Sequence, residues 1–173
     1  SASAIAPWSD TYAIEHARQA EASADRGGGE AKLLEAEAAY RHAIAVNGSD
    51  PVTRHQLARL YLSHRDVWGE AGTRNAVAQL RAALAQNPYY SEIENDLGVA
   101  LLDSGERASA AEAFRRASNG RRAFVDPLLN LAALAIQSGD RVEARTWVVR
   151  ALERDPQSNR ARALLAQLDS PPK

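Results

Sequence analysis

The apolar and polar positions of this chain repeat. Across residues 91–156 the pattern recurs at an offset of 34 residues: Leu97 returns as Leu131, Gly98 as Ala132, Gly105 as Gly139, Ala110 as Ala144, Phe114 as Val148 and Ala117 as Ala151. The turn Ser104-Gly105-Glu106-Arg107 returns as Ser138-Gly139-Asp140-Arg141. An offset of this size predicts an array in which each copy is a pair of helices joined by a short turn. Gly98 and Ala132 carry almost no side chain, and neither do Ala110, Ala117, Ala144 and Ala151 on the second helices. Paired axes approach closely there, while Leu97, Leu131, Phe114 and Val148 fill the remaining space. One pair does not bury its apolar face alone, so pairs stack.

The same signature extends towards the start. Ala36, Tyr40 and Ala43 match Ala110, Phe114 and Ala117 in spacing, and Leu57-Ala58 with Tyr61 matches Leu97-Gly98 with Leu101. Ala76, Leu80 and Ala83 supply the partner of that second pair. Helices are therefore expected over 7–25, 31–46, from Pro51, over about 74–86, from Ser91, from Asp126-Pro127 and over 157–168, with a flexible turn at 25–30. Asp50 is read as a cap, and Ser91 with Glu94 and Asp140 with Glu143 as capping boxes. Leu57 to Ala83 is six residues longer than Leu97 to Ala117, and the surplus falls in 64–73. That insertion carries Trp68, either as an aromatic contact arm or folded back over the helix ends.

Leu97-Gly98, Leu101, Gly105, Ala110, Phe114 and Ala117, followed by Leu131-Ala132, Gly139, Ala144, Val148, Ala151 and Pro156, resemble the tetratricopeptide repeat. The resemblance implies an all-α fold: a right-handed α-solenoid of about four helix pairs plus a C-terminal capping helix. The whole chain, 1–173, is then one domain, with repeats at roughly 8–50, 51–90, 91–124 and 125–158, a cap at 159–168, and flexible ends at 1–7 and 169–173. The 64–73 insertion departs from the family pattern, and the turn Asn119-Gly120-Arg121-Arg122 lacks its usual proline. Arg121 and Arg122 read either as contacts to a phosphate or acidic partner or as solvated charges near a helix C-terminus.

Composition narrows the function classes. A hydrophobic share of 45% and a charged share of 25% are those of an ordinary soluble domain. A net charge of -1 supplies no global basic field for nucleic acid or anionic lipid, and no apolar run is long enough to span a membrane, so neither is expected as a partner. Cysteine is absent, which excludes disulfides and Cys-ligated zinc. Methionine is absent even at position 1, so the chain is read as a processed protein or an excised domain. Lysine occurs only at Lys32 and Lys173 against abundant Arg and Ala, which points to a GC-rich bacterial source, in cytoplasm or periplasm. Gly27-Gly28-Gly29 has no Gly-Lys-Ser/Thr after it and no strand before it, so it reads as a turn and not a phosphate loop. In a bacterial protein, Asn47-Gly48-Ser49 matches a glycosylation acceptor by chance.

No catalytic constellation is legible. The histidines are His16, His42, His55 and His64, and no two stand at the i,i+4 spacing of a zinc helix. No nucleophile or acid/base motif is present, so no catalytic residue, metal or cofactor is expected. The resemblance implies a non-enzymatic protein–protein interaction module, an assembly or adaptor factor holding a peptide or helix of a partner in a concave groove. First helices line that groove, and helical spacing selects His55, Gln56, Arg59 and Ser63, then Asn95, Asp96 and Val99 with Glu92 and Asp103, then Asn130, Ala133 and Gln137 with Asp126, extended by Arg160 and Gln167. Asn and Gln offer donor and acceptor together, which suits a peptide backbone. The same residues would also serve as the wet face of amphipathic helices. Trp68 is a candidate accessory contact.

Some members of this family clamp a C-terminal carboxylate. Here His55, Arg59, Asp96, Asp126 and Asn130 occupy the clamp positions, and two aspartates repel a carboxylate, so no chaperone-tail clamp is expected. The alternative function is an architectural scaffold acting by self-association or domain spacing. Trp147 would serve it as an exposed contact, or else pack between neighbouring pairs. The oligomeric state stays open.

Overall fold

A computed structural model describes residues 9–119 and 124–170. The expected flexible end at 1–7 and the Arg121-Arg122 pair lie outside the described residues. Among the described residues every regular element is helical. Helix α1 is Asp10–Ser23, capped by Ser9, whose Oγ accepts from the Tyr12 N–H at 3.1 Å. A π-type turn, Ala24–Gly28, leads into α2, Gly29–Val46. Helix α3 is Pro51–Ser63, with Pro51 in its first turn and Asp50 accepting from the N–H groups of Val52 and Thr53. Helices α4 to α9 are Arg65–Gln86, Ser91–Asp103, Arg107–Asn119, Asp126–Gln137, Arg141–Arg154 and Asn159–Asp169.

The helices form two compact units, α1–α4 and α5–α9. In the first, α1 pairs with α2, α3 with α4, and α2 packs on α3. In the second, α5 pairs with α6 and α7 with α8, while α6 packs on α7 and α8 on α9.

The two units differ in repeat length. In α5–α8 matching buried residues stand 34 apart, as Leu97 and Leu131 do. In α1–α4 they stand 40 apart: Ala17 and Leu57, Ala36 and Ala76, Tyr40 and Leu80, Ala43 and Ala83 are all buried. The surplus noticed at 64–73 therefore occurs twice, once in each repeat of the first unit. Sequence spacing missed the first copy because α1 places Ala17-Arg18 where α3 has Leu57-Ala58, which hides its register. Neither surplus is an irregular loop. The first is the π-type turn, in place of the expected flexible stretch at 25–30. The second is helical from Arg65, with one kink at Gly69. Gly29 (φ 65°) and Gly69 (φ 53°) stand 40 residues apart and take the same left-handed backbone, a conformation open to glycine at little cost.

In the second unit, small residues set the helix spacing. A Cβ built on Gly98 would stand 2.6 Å from Cδ1 of Phe114, whose ring is fully buried. At the matching positions of the next pair stand Ala132 and Val148, one methyl larger on the first helix and smaller on the second, both fully buried. The pair α7–α8 closes around Leu128, Leu129, Ala132, Val148 and Ala151, with Ala161 of α9 completing the cluster.

The expected capping box at Ser91 does not form. Ser91 Oγ is buried without a hydrogen-bond partner, and the Glu94 carboxylate turns instead to Arg116 of α6, which donates from Nε at 2.8 Å and Nη2 at 3.0 Å. A charge-assisted bidentate bond between helices outcompetes a reach back to one N–H. Asp140 does cap α8, accepting from the Glu143 N–H at 2.8 Å. The end of α9 is also tied down, contrary to the flexible tail expected from 169. Arg141 donates to the carbonyls of Leu168 and Ser170, and Arg145 pairs with Asp169. Arg162 and Asp169, both exposed, stand where α7 has the buried Leu128 and Ala135, so the outer face of α9 is polar.

Gly98→Ala should lower stability by about 1–3 kcal/mol through overpacking against Phe114. Urea unfolding of Gly98→Ala, Phe114→Val and the double variant measures it: the double should lose less than the two singles added, because it reproduces the Ala132–Val148 pair. Strict additivity would show that these sites do not set the spacing.

Candidate functional site

Each first helix presents one stripe of exposed and half-buried residues, spaced at i, i+4, i+7 and i+11. On α5 it is Glu92, Asp96, Val99 and Asp103; on α7 it is Asp126, Asn130, Ala133 and Gln137; on α9 it continues as Arg160 and Gln167. The structure brings most of the expected residues of the second unit onto this row, and it separates one. Asn95 is only 8% exposed, turned from the row towards α7.

That turn builds a chain of hydrogen bonds across three helices. Asn95 Nδ2 donates to Asp96 Oδ1 at 3.4 Å, and Asn130 Nδ2 donates to Asn95 Oδ1 at 3.0 Å. Arg160 of α9 then donates to Asn130 Oδ1 at 3.4 Å and to Asp126 Oδ1 at 3.1 Å. The Asn130 amide is thereby fixed in orientation, with a second N–H still to give. Gln137 accepts from Arg107 of α6 at 2.8 Å, which leaves its NH2 group outward. Between these polar points Val99 and Ala133 form a low, half-buried apolar step.

In the first unit the stripe of α3 is Val52, Gln56, Arg59 and Ser63, with His55 half-buried beside it. Val52 and Arg59 are exposed, and Gln56 Oε1 is buried without a hydrogen-bond partner. Burial of Ala13, Ala17 and Ala20 sets the register of α1 and adds Tyr12, His16 and Gln19 to the row. Sequence reasoning missed these three; the 40-residue offset from Val52, Gln56 and Arg59 was the signal that would have found them. Tyr12 stacks on His16 with ring centroids 6.3 Å apart, and His16 Nε2 lies 3.0 Å from the Glu35 carboxylate. Asn47 Nδ2 donates to Asp10 at 2.8 Å, which fastens the start of α1 to the turn before α3.

Trp68 is folded back. Its indole meets Tyr61 edge-on, 5.2 Å between centroids at 89°, and Nε1 donates to Glu37 Oε2 at 3.1 Å. The absence of a side chain at buried Gly72 makes room, since a Cβ there would stand 2.6 Å from Trp68 Cβ. Glu37 also accepts from Tyr61 Oη at 2.7 Å and pairs with Arg41 at 2.9 Å. Burial, and then the hydrogen bond to Glu37, push the Tyr61 phenol up to about 12. The two extensions of this unit also enclose an open cavity of about 430 Å3, lined by Asp25, Glu30, Leu33, His64, Asp66 and Val67. Trp147 is half-buried against the α7–α8 core, with Arg150 5.0 Å over its ring and Nε1 donating to Glu143 at 3.1 Å. Among the described residues no cluster of His, Cys, Asp or Glu is placed to hold a metal, and no helix is long and apolar enough to cross a membrane.

Paired helices with small residues at their crossings, and within each unit a polar-and-apolar row on the first helices, define a helical-repeat fold. A tetratricopeptide repeat family model matches residues 101–168. A TPR repeat-containing protein of Pseudomonas aeruginosa is 35% identical over 111 residues, 64% of this chain. The chain spans 42% of that relative's length. Among solved structures, MamA superposes with a TM-score of 0.75 at 16% identity over 92% of this chain and 80% of that one. The pilF protein of Pseudomonas aeruginosa superposes with a TM-score of 0.70 at 18% identity over 92% and 68%. A chain of the APC/C hetero-tetramer Cut9–Hcn1 gives 0.71 at 15% identity over 94% and 30%. Residues 101–168 thus resemble the tetratricopeptide repeat family, whose members are generally non-catalytic protein-interaction modules.

The Tyr61 phenol stays protonated to about 12 in the folded chain, whereas an unfolded tyrosine ionises near about 10. The contribution is therefore complete below the unfolded value and is lost as pH climbs through the folded one. Urea midpoints at rising alkaline pH should fall more steeply for the native chain than for Tyr61→Phe; parallel curves would remove Tyr61 from the account.

Proposed function

We propose that the first-helix rows bind an extended peptide or a helix of a protein partner, making the chain an assembly or adaptor factor. The observation that supports this most is the Asn95–Asn130–Arg160 chain of hydrogen bonds, which holds amide groups in fixed orientation beside the Val99–Ala133 step. Pre-oriented donors beside an apolar step hold a peptide backbone with little ordering cost. One structural neighbour is a chain of the hetero-tetramer Cut9–Hcn1, which fits the same use of the fold. In the first unit Tyr12, Val52 and Arg59 offer apolar and cationic contacts. With Asp96 and Asp126 on the second unit's row, the chain is not a carboxylate clamp; tight binding of a free acidic C-terminal peptide, lost on amidation, would contradict that.

The second reading, self-association, is favoured by one observation: Val142 (80% exposed) and Val149 (39% exposed) share the outer face of α8.

Asn130→Ala should weaken a partner held on the second unit's row, and Arg59→Ala one held on the first unit's row, by about 1–2 kcal/mol with the helical signal unchanged. Asn95→Ala is a poorer probe because that residue is buried. Unchanged affinity in both variants places the partner elsewhere. Light scattering decides the second reading: mass that rises with concentration and collapses in Val142→Glu supports it, and a concentration-independent monomer ends it.

A further inference from the structure

A cleft of about 230 Å3 opens between α6, α7 and α8. It occupies a different face of α7 from the row: Leu131, Leu134 and Ala135 line it, whereas Asn130 and Ala133 belong to the stripe. Ala108 and Ala111 of α6 make the opposite wall. These alanines leave the space open, since the matching residues one repeat later are the larger Val142 and Arg145. The volume is below the range of about 300–1,000 Å3 that small-molecule pockets occupy, and it suits one or two inserted side chains.

The rim decides the chemistry. Arg107 is held by Gln137 at 2.8 Å, and the Glu143 carboxylate accepts from Trp147 Nε1 at 3.1 Å. Arg115, at the rim and exposed, makes no ion pair or side-chain hydrogen bond with another described residue. An apolar floor beside an uncommitted guanidinium complements an aliphatic group next to a carboxylate, which a guanidinium fork binds well.

We infer that this cleft docks a segment of a protein partner in which an aliphatic side chain is followed by aspartate or glutamate. The aliphatic group enters between Ala111 and Leu134, and the carboxylate meets Arg115. The surface is separate from the first-helix row, so one partner, or two, can engage both.

The test is a titration of the 15N-labelled chain with N-acetyl-Leu-Glu-amide and, in parallel, N-acetyl-Leu-Lys-amide. The glutamyl peptide should shift the amides of Ala108, Ala111, Leu134 and Ser138. Its affinity should fall about tenfold or more in Arg115→Glu, the loss of one charge-assisted contact. It should vanish in Ala111→Phe, which fills the cleft; Arg115→Glu, at an exposed site, keeps the test valid if that variant unfolds. The row variant Val99→Glu should leave the shifts in place. No shifts at millimolar peptide, equal response to the lysyl peptide, persistence in a folded Ala111→Phe, or loss in Val99→Glu each overturns the inference.

Discussion

Close approach of paired helices is the constraint on which the rest depends. Phe114 fills the volume that Gly98 vacates, so closely that a single added carbon would collide with the ring. The next pair sets Ala132 and Val148, both fully buried, at the matching positions. Where the first helix gains a methyl the second carries a smaller side chain, as close-packed interiors demand. The packing brings α5 and α7 within hydrogen-bond reach, and the buried Asn95 meets Asn130 of the row at 3.0 Å.

The first unit solves the same problem with longer repeats. Six added residues between the helices of each pair would splay a hairpin if they ran free. Instead they continue as helical turns and end in Gly29 and Gly69, where a left-handed backbone redirects the chain. Trp68 secures the second extension through Glu37, which gathers the indole N–H, the Tyr61 hydroxyl and the Arg41 guanidinium around one carboxylate. A largely buried carboxylate is tolerable because each of its oxygens is paired, one of them with a cation.

The polar row and the alanine cleft differ in kind. In the row, polar groups are already bonded to one another, and what they offer a ligand is orientation. In the cleft, contact area is offered by small residues, and the Arg115 guanidinium has no partner among the described residues. A repeat scaffold supports both because only its small and large core positions are constrained by packing; the faces turned outward are left to vary.

Sequence alone determined the class of fold, the helix pairs and most of the exposed row, because helical periodicity and small-residue spacing are local properties that a linear chain carries in full. The 34-residue offset of Leu97-Gly98 and Leu131-Ala132 and the Asp50-Pro51 start of α3 belong to that share. Tertiary structure decided what depends on partners far away in the chain. Glu94 chose Arg116 over its own helix start, Asn95 turned inward to Asn130, and Trp68 folded onto Glu37, each by a contact at least 22 residues distant. The register of α1 also waited for packing, since a run of alanines looks alike on every face until a neighbouring helix covers one of them.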